Sequence, residues 1–210
     1  GGLLAKMTAI DSGTRLWDTV SQRPLDDLIL RDETREQLRR TLFLQPLPFV
    51  RRVIFIATPH RGSYEAGSWI AHQVAGFASL PKGFVDVMKD LVTGNPSVVT
   101  LSLGGLPRSI HDMTPGNSFV QALAATPVAP GIPVHSIVAV SGNKPLAEDD
   151  DGIVKYESAH LDDAKSELVI HSGHSVQGHP LAIGEVRRIL YLHGEDACRS
   201  AGVCGASESR

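Results

Sequence analysis

Two short apolar runs constrain the fold of this chain most. Arg51-Arg52-Val53-Ile54-Phe55-Ile56-Ala57-Thr58 carries one, and Val134-His135-Ser136-Ile137-Val138-Ala139-Val140 is the other. Neither alternates cleanly between apolar and polar. A strand with one wet face alternates, whereas a brief continuous run rich in β-branched residues suits a strand buried on both faces, as in a parallel sheet covered by helices. Glu167-Leu168-Val169-Ile170 reads as a third strand. The stretch from Pro180 to Leu190 reads as an amphipathic helix with Pro180 at its favoured first turn. Strands alternating with helices predict an α/β fold with a mainly parallel sheet and helices on both faces.

Gly1-Gly2-Leu3-Leu4-Ala5-Lys6-Met7 is a helix pattern with no start signal ahead of it. A first turn without a cap is an unusual beginning, so the chain is expected to open inside a longer protein. A charged helix is expected from Asp32 to Thr41, with Asp32 as its N-cap. From Tyr64 to Pro130 the pattern is helical and interrupted. Ile70, Val74 and Phe77 form one stripe, and Phe84, Val87, Met88, Leu91 and Val92 another. Asn117 or Ser118 is expected to cap a short helix through Leu123. Ordinary packing explains such stripes, and the alternative is that some line an acyl-binding cleft. The expected organisation is one domain over residues 1–194, with 64–130 as a helical lid, and a disordered polar tail over 195–210.

The 210 residues lie within the usual range of one domain. A formal net charge of -3 does not suggest a nucleic-acid partner. No apolar run reaches the roughly 18 residues that span a bilayer, and nothing in the sequence calls for a membrane. Cys198 and Cys204 could close a small loop or remain free thiols. Free thiols are the expectation, since nothing else marks an oxidising compartment. The sequence does not separate a cytoplasmic from an envelope location.

Two polar clusters carry chemistry. Glu148-Asp149-Asp150-Asp151 follows the second strand, and His171-Ser172-Gly173-His174-Ser175-Val176-Gln177-Gly178-His179 follows the third. Functional groups gather at the carboxyl ends of strands in open α/β sheets. Each cluster alone has a plainer reading. Four acids in a row suit a solvated turn, and they lack EF-hand spacing for calcium. The histidines lack the Cys or HExxH pattern of a zinc site, so no metal is expected. Taken together they give the order carboxylate, then histidine, of a serine-hydrolase triad. Serine needs an adjacent base to act as a nucleophile, and imidazole titrates near neutrality. A carboxylate then fixes the imidazole tautomer and stabilises the imidazolium. Asp149 and Asp150 are the alternative acids, and His171 and His179 the alternative bases. Gly1-Gly2 fits the end of a G-x-S-x-G elbow and the start of the helix behind it, which would put the serine two positions ahead of Gly1.

The chain resembles the prokaryotic α/β-hydrolase family related to lipases and PGAP-type lipid-remodelling esterases. Four stretches carry the resemblance: Gly1-Gly2-Leu3-Leu4, Phe55-Ile56-Ala57-Thr58-Pro59-His60-Arg61-Gly62-Ser63, Asp151-Gly152-Ile153-Val154-Lys155-Tyr156-Glu157-Ser158-Ala159-His160, and Ser172-Gly173-His174-Ser175 with the helix after it. The Thr-Pro-His-Arg-Gly and Asp-Gly-Ile-Val stretches are the most specific. The resemblance implies Asp151 as triad acid and His174 as triad base. It covers the C-terminal part of such a domain, without the elbow serine, the oxyanion-hole loop or the first strands. His60 and Arg61 are candidate cleft residues, with loop-holding hydrogen bonds as the other reading.

The expected function is a hydrolase of carboxylic esters, acting on a small-molecule or lipid ester without a cofactor. The activity is expected of the parent protein, and residues 1–210 alone are expected to hydrolyse no ester. An acyltransferase on the same site, or a non-catalytic scaffold that kept the fold, are the alternatives. A serine at the elbow favours the enzyme, and glycine or alanine there the scaffold.

Overall fold

The computed structural model describes residues 1–63, 82–95 and 114–202. The Ile70, Val74 and Phe77 stripe and the side chains of Phe84, Met88 and Val92 lie outside the described residues, as does Cys204.

Three parallel strands, β1 (Val53–Ile56), β2 (Val134–Val140) and β3 (Ser166–His171), lie side by side in chain order. Val53 pairs with Val134 and His135 with Ser166, so the strands run in step. All seven residues of β2 are buried, as the continuous apolar run predicts for a central strand. The edge strands are shorter or less covered. Among the described residues β1 pairs only with β2.

Helices cover both faces. α1 (Gly2–Met7) and α5 (Tyr156–Ala159) lie on one face. There Ala9 packs with Val53, Phe55 and Val134, and Val138 with Val154 and Ala159. α6 (Pro180–Ser200) closes the other face, burying Ala182 against Ala57, Ile137, Ala139 and Ile170. These residues alternate along each strand, as the two-residue period requires. The outer side of α6 leaves Ile183, Leu190 and Tyr191 more than half exposed.

A second apolar core lies away from the sheet. α2 (Asp32–Leu42) contributes Leu38 and Leu42, α3 (Lys82–Gly94) contributes Val87 and Leu91, and α4 (Ser118–Ala125) contributes Leu123. They close around Ile10, Leu16, Trp17, Val20, Leu25 and Leu28. The described part of the 64–130 insertion shares one core with the segment from Ile10 to Leu42.

Several local expectations change. Arg31, not Asp32, precedes α2, and Asp32 is its first helical residue with Glu33 beside it, where carboxylates favour the helix dipole. Asn117 caps α4, accepting from the amides of Phe119 and Val120 at 3.0 and 3.1 Å. The last helix does not fray after His193. It continues to Ser200, held by an Arg199–Asp196 ion pair at 2.6 Å and by Asp196 bonding Arg52 at 2.5 Å. Cys198 is disulfide-bonded, which corrects the free-thiol expectation.

Candidate functional site

β2 and β3 are parallel neighbours, so the segments leaving their carboxyl ends lie side by side. Ser172 N donates to Val140 O at 2.9 Å, which aligns the two exits, and Ser141 N donates to Asp150 O at 2.7 Å, which folds the segment leaving β2 back on itself. The acidic cluster leaves β2 and the histidine cluster leaves β3.

Asp151 is fixed by its own turn. Its Oδ1 accepts from the amides of Ile153 and Val154 at 2.9 and 2.7 Å, and its amide donates to Val154 O at 3.2 Å. Gly152 supplies the turn at φ 90°, a conformation a β-carbon would strain. With Oδ1 occupied, Oδ2 points outward to His174 Nδ1 at 2.8 Å. The Asp151 side chain is 1% exposed and that of His174 is 24% exposed. An ionised carboxylate only accepts, so Nδ1 carries the proton in this contact. The neutral imidazole then has its lone pair on Nε2, the atom a general base uses.

Three of the four alternative acids and bases are engaged elsewhere. Asp149 is buried and accepts from the amides of Gly142 and Asp150 at 3.1 and 2.8 Å. Asp150 accepts from the Gly152 amide at 2.9 Å and faces Lys144 at 3.8 Å. His171 ends β3 in an exposed position. His179 caps α6, with its Nδ1 accepting from the Leu181 amide at 3.2 Å. Among the described residues no group of three His, Cys, Asp or Glu side chains converges as a metal site, and no helix is long and apolar enough to cross a membrane.

The loop after β1 divides between the interior and a cavity wall. Ala57, at the end of β1, holds a positive φ of 45°, rare for a residue with a side chain. His60 is buried edge-on against Phe55, with ring centroids 4.5 Å apart, and lines none of the cavities described. Among the described residues neither of its ring nitrogens has a hydrogen-bond partner. Burial, with Lys6 and Arg61 nearby, pushes its pKa down to about 3, so the ring is neutral. The structure thus places His60 in the interior, the other of the two positions open to it from the sequence. Arg61 does border a cavity of about 350 Å³, shared with Ser63, Ile153, Lys155 and Ser158. That cavity opens beside the Asp151 turn, since Ile153 belongs to both.

Gly1 and Gly2 stand where the sequence expects a helix to begin. Gly1 precedes α1, and Gly2 is its first residue. A β-carbon on Gly2 would come within 2.0 Å of Thr58 Oγ1, so the helix start presses directly on the loop after β1. Only glycine permits that approach.

A feature the sequence reading missed lies at the opposite end of the sheet. His135 Nε2 accepts from Arg52 Nη1 at 2.5 Å, and its Nδ1 contacts Ser166 Oγ at 2.7 Å. Arg188 bridges Ser166 and Glu185 at 3.1 and 2.6 Å. A histidine inside an apolar strand run was the available signal. Comparison with models of known protein families, with curated proteins and with solved structures finds no match for this chain.

Proposed function

We propose that this chain is the C-terminal part of an α/β-hydrolase whose parent protein cleaves carboxylic esters, with Asp151 as triad acid and His174 as triad base. The observation that carries this reading is the 2.8 Å contact between Asp151 Oδ2 and His174 Nδ1, made at the carboxyl ends of neighbouring parallel strands. Two features support the domain assignment. The free side of β1 among the described residues suits a further parallel strand, and the close Gly2–Thr58 approach suits a tight strand-to-helix elbow there.

In this reading the nucleophile is a serine two positions ahead of Gly1. His174 Nε2 takes the serine proton as the oxygen attacks the ester carbonyl, and Asp151 stabilises the imidazolium that results. His174 then returns the proton to the leaving alcohol. Water, activated by the same nitrogen, releases the acyl group and regenerates the serine. Backbone amides at the elbow would hold the oxyanion. The cavity beside Ile153 supplies room next to the acid–base pair for part of the substrate.

The test is turnover of short- and long-chain nitrophenyl esters by the parent protein. Asp151→Asn should lower kcat about 10⁴-fold, because the imidazole loses the partner that fixes its tautomer. Absence of turnover at every acyl length, or full activity in Asp151→Asn, would overturn the reading.

A further inference from the structure

The two most specific sequence stretches, around Thr58–Ser63 and Asp151–His160, are far apart in the chain and lie against each other in the fold. Arg61 Nη1 donates to Glu157 O at 2.6 Å and to His160 O at 2.7 Å. Glu157 lies within the four-residue helix α5 and His160 is its C-cap, and the last four carbonyls of a helix have no helical partner. The Arg61 amide donates to Ser158 O at 3.4 Å and to Ser158 Oγ at 3.2 Å. Ser158 Oγ donates in turn to Gly62 O at 2.7 Å. Ser63 Oγ donates to Ile153 O.

One residue held this way, Ile153, bonds Asp151 directly, and Glu157, Ser158 and His160 follow it in the same segment. Ile153 donates its amide to Asp151 Oδ1 while its carbonyl is held by Ser63. α5 follows at once, and its first residue, Tyr156, donates its amide to Asp149 O at 2.9 Å. The Asp151 turn is thus tied at both ends, and its outer tie is the loop after β1.

We infer that Arg61, with Ser63 and Ser158, is a positioning latch that fixes the Asp151 carboxylate and through it the His174 ring. This inference rests on the proposed acid–base pair and adds a role that the pair itself does not specify. Arg61 touches neither Asp151 nor His174 and acts through the 153–160 segment. A residue that merely stabilised α5 would contribute to folding without altering the ring.

The experiment is ¹⁵N NMR of histidine in the intact protein, read together with thermal unfolding. In the wild type His174 should hold its proton on Nδ1. Arg61→Ala should move a measurable fraction of His174 to the other tautomer, and Arg61→Lys should recover most of the wild-type signal. In the same variants the parent's kcat should fall about ten- to a hundredfold in Arg61→Ala, with KM changed less than about threefold. A lowered unfolding temperature with an unchanged His174 tautomer would overturn the latch. Should Arg61→Ala fail to fold, Ser63→Ala removes the tie to Ile153 and must show the same tautomer shift in smaller degree, or the latch is overturned. A tautomer response in a protein without ester turnover would keep the latch and reject the esterase reading, and turnover without the response would do the reverse.

Discussion

His174 and His135 sit at opposite ends of one sheet, and their partners carry opposite charge. His174 meets a carboxylate at 2.8 Å, and His135 meets a guanidinium at 2.5 Å. Both rings hold their proton on Nδ1. A carboxylate must accept from Nδ1 of His174, whereas arginine can only donate to Nε2 of His135, leaving Nδ1–H to bond Ser166. The consequences diverge. Protonating His174 completes an ion pair with Asp151. Protonating His135 sets two cations against each other, and burial together with Arg52 and Arg188 holds its pKa below the ordinary histidine value. The same side chain can thus serve as a proton acceptor or as a fixed neutral strut, and the sign of its partner decides which.

The largest test of that contrast is activity. Under the proposed triad, His174→Ala in the parent protein should lower kcat/KM for an ester by about 10³- to 10⁴-fold or more, since members of a triad act as a unit. His135→Ala should leave the activity per folded molecule within about tenfold. Equal losses would break the comparison.

Acid stability comes next. His60 and His135 are buried and neutral, with folded pKa values below those of the unfolded chain. The unfolded state therefore binds more protons, and the stability they confer is present above the ordinary value of 6.5 and lost as pH falls below it. For His60 the window extends down to about pH 3. Denaturant unfolding measured from pH 7.5 to pH 4 should show stability falling by up to roughly 1.4 kcal/mol per pH unit from each such group. His60→Phe removes two ring nitrogens that have no partner among the described residues and should flatten this slope while leaving neutral-pH stability equal or higher. An unchanged slope would place the acid-sensitive group elsewhere.

The smallest effect sharpens the choice of acid. Asp150 adjoins Asp151 but is partly exposed, with a loose 3.8 Å contact to Lys144. Asp150→Asn should change ester turnover by less than about threefold and stability by less than about 1 kcal/mol, as for exposed ion pairs generally. A loss matching that of Asp151→Asn would mean the carboxylates act jointly.

The sheet was legible because burial on both faces leaves a continuous apolar run. The expected Val134–Val140 strand matches β2 at both ends. β1 is shorter than its run because Ala57 turns to a positive φ and leaves the sheet early. The meeting of Asp151 with His174 was legible from strand order, since parallel neighbours deliver their exits to one place. The helical core was not, because whether α3 and α4 pack on each other or on the Ile10–Leu42 segment is set by distant contacts that periodicity does not record. Arg61 was half legible. Its loop was recognisable, but its bonds go to backbone carbonyls, which leave no trace in residue identity. The His135–Arg52 contact was hidden for a related reason, since a polar residue in a strand run does not announce its partner.

The most direct test of the central claim is covalent labelling of the parent protein with a fluorophosphonate, followed by peptide mapping. Such a probe bonds a serine that an adjacent base has activated. The account predicts a single adduct on a serine two residues ahead of Gly1, with labelling lost in His174→Ala and retained in His135→Ala. An adduct on a serine within residues 1–210, or labelling indifferent to His174, would contradict it.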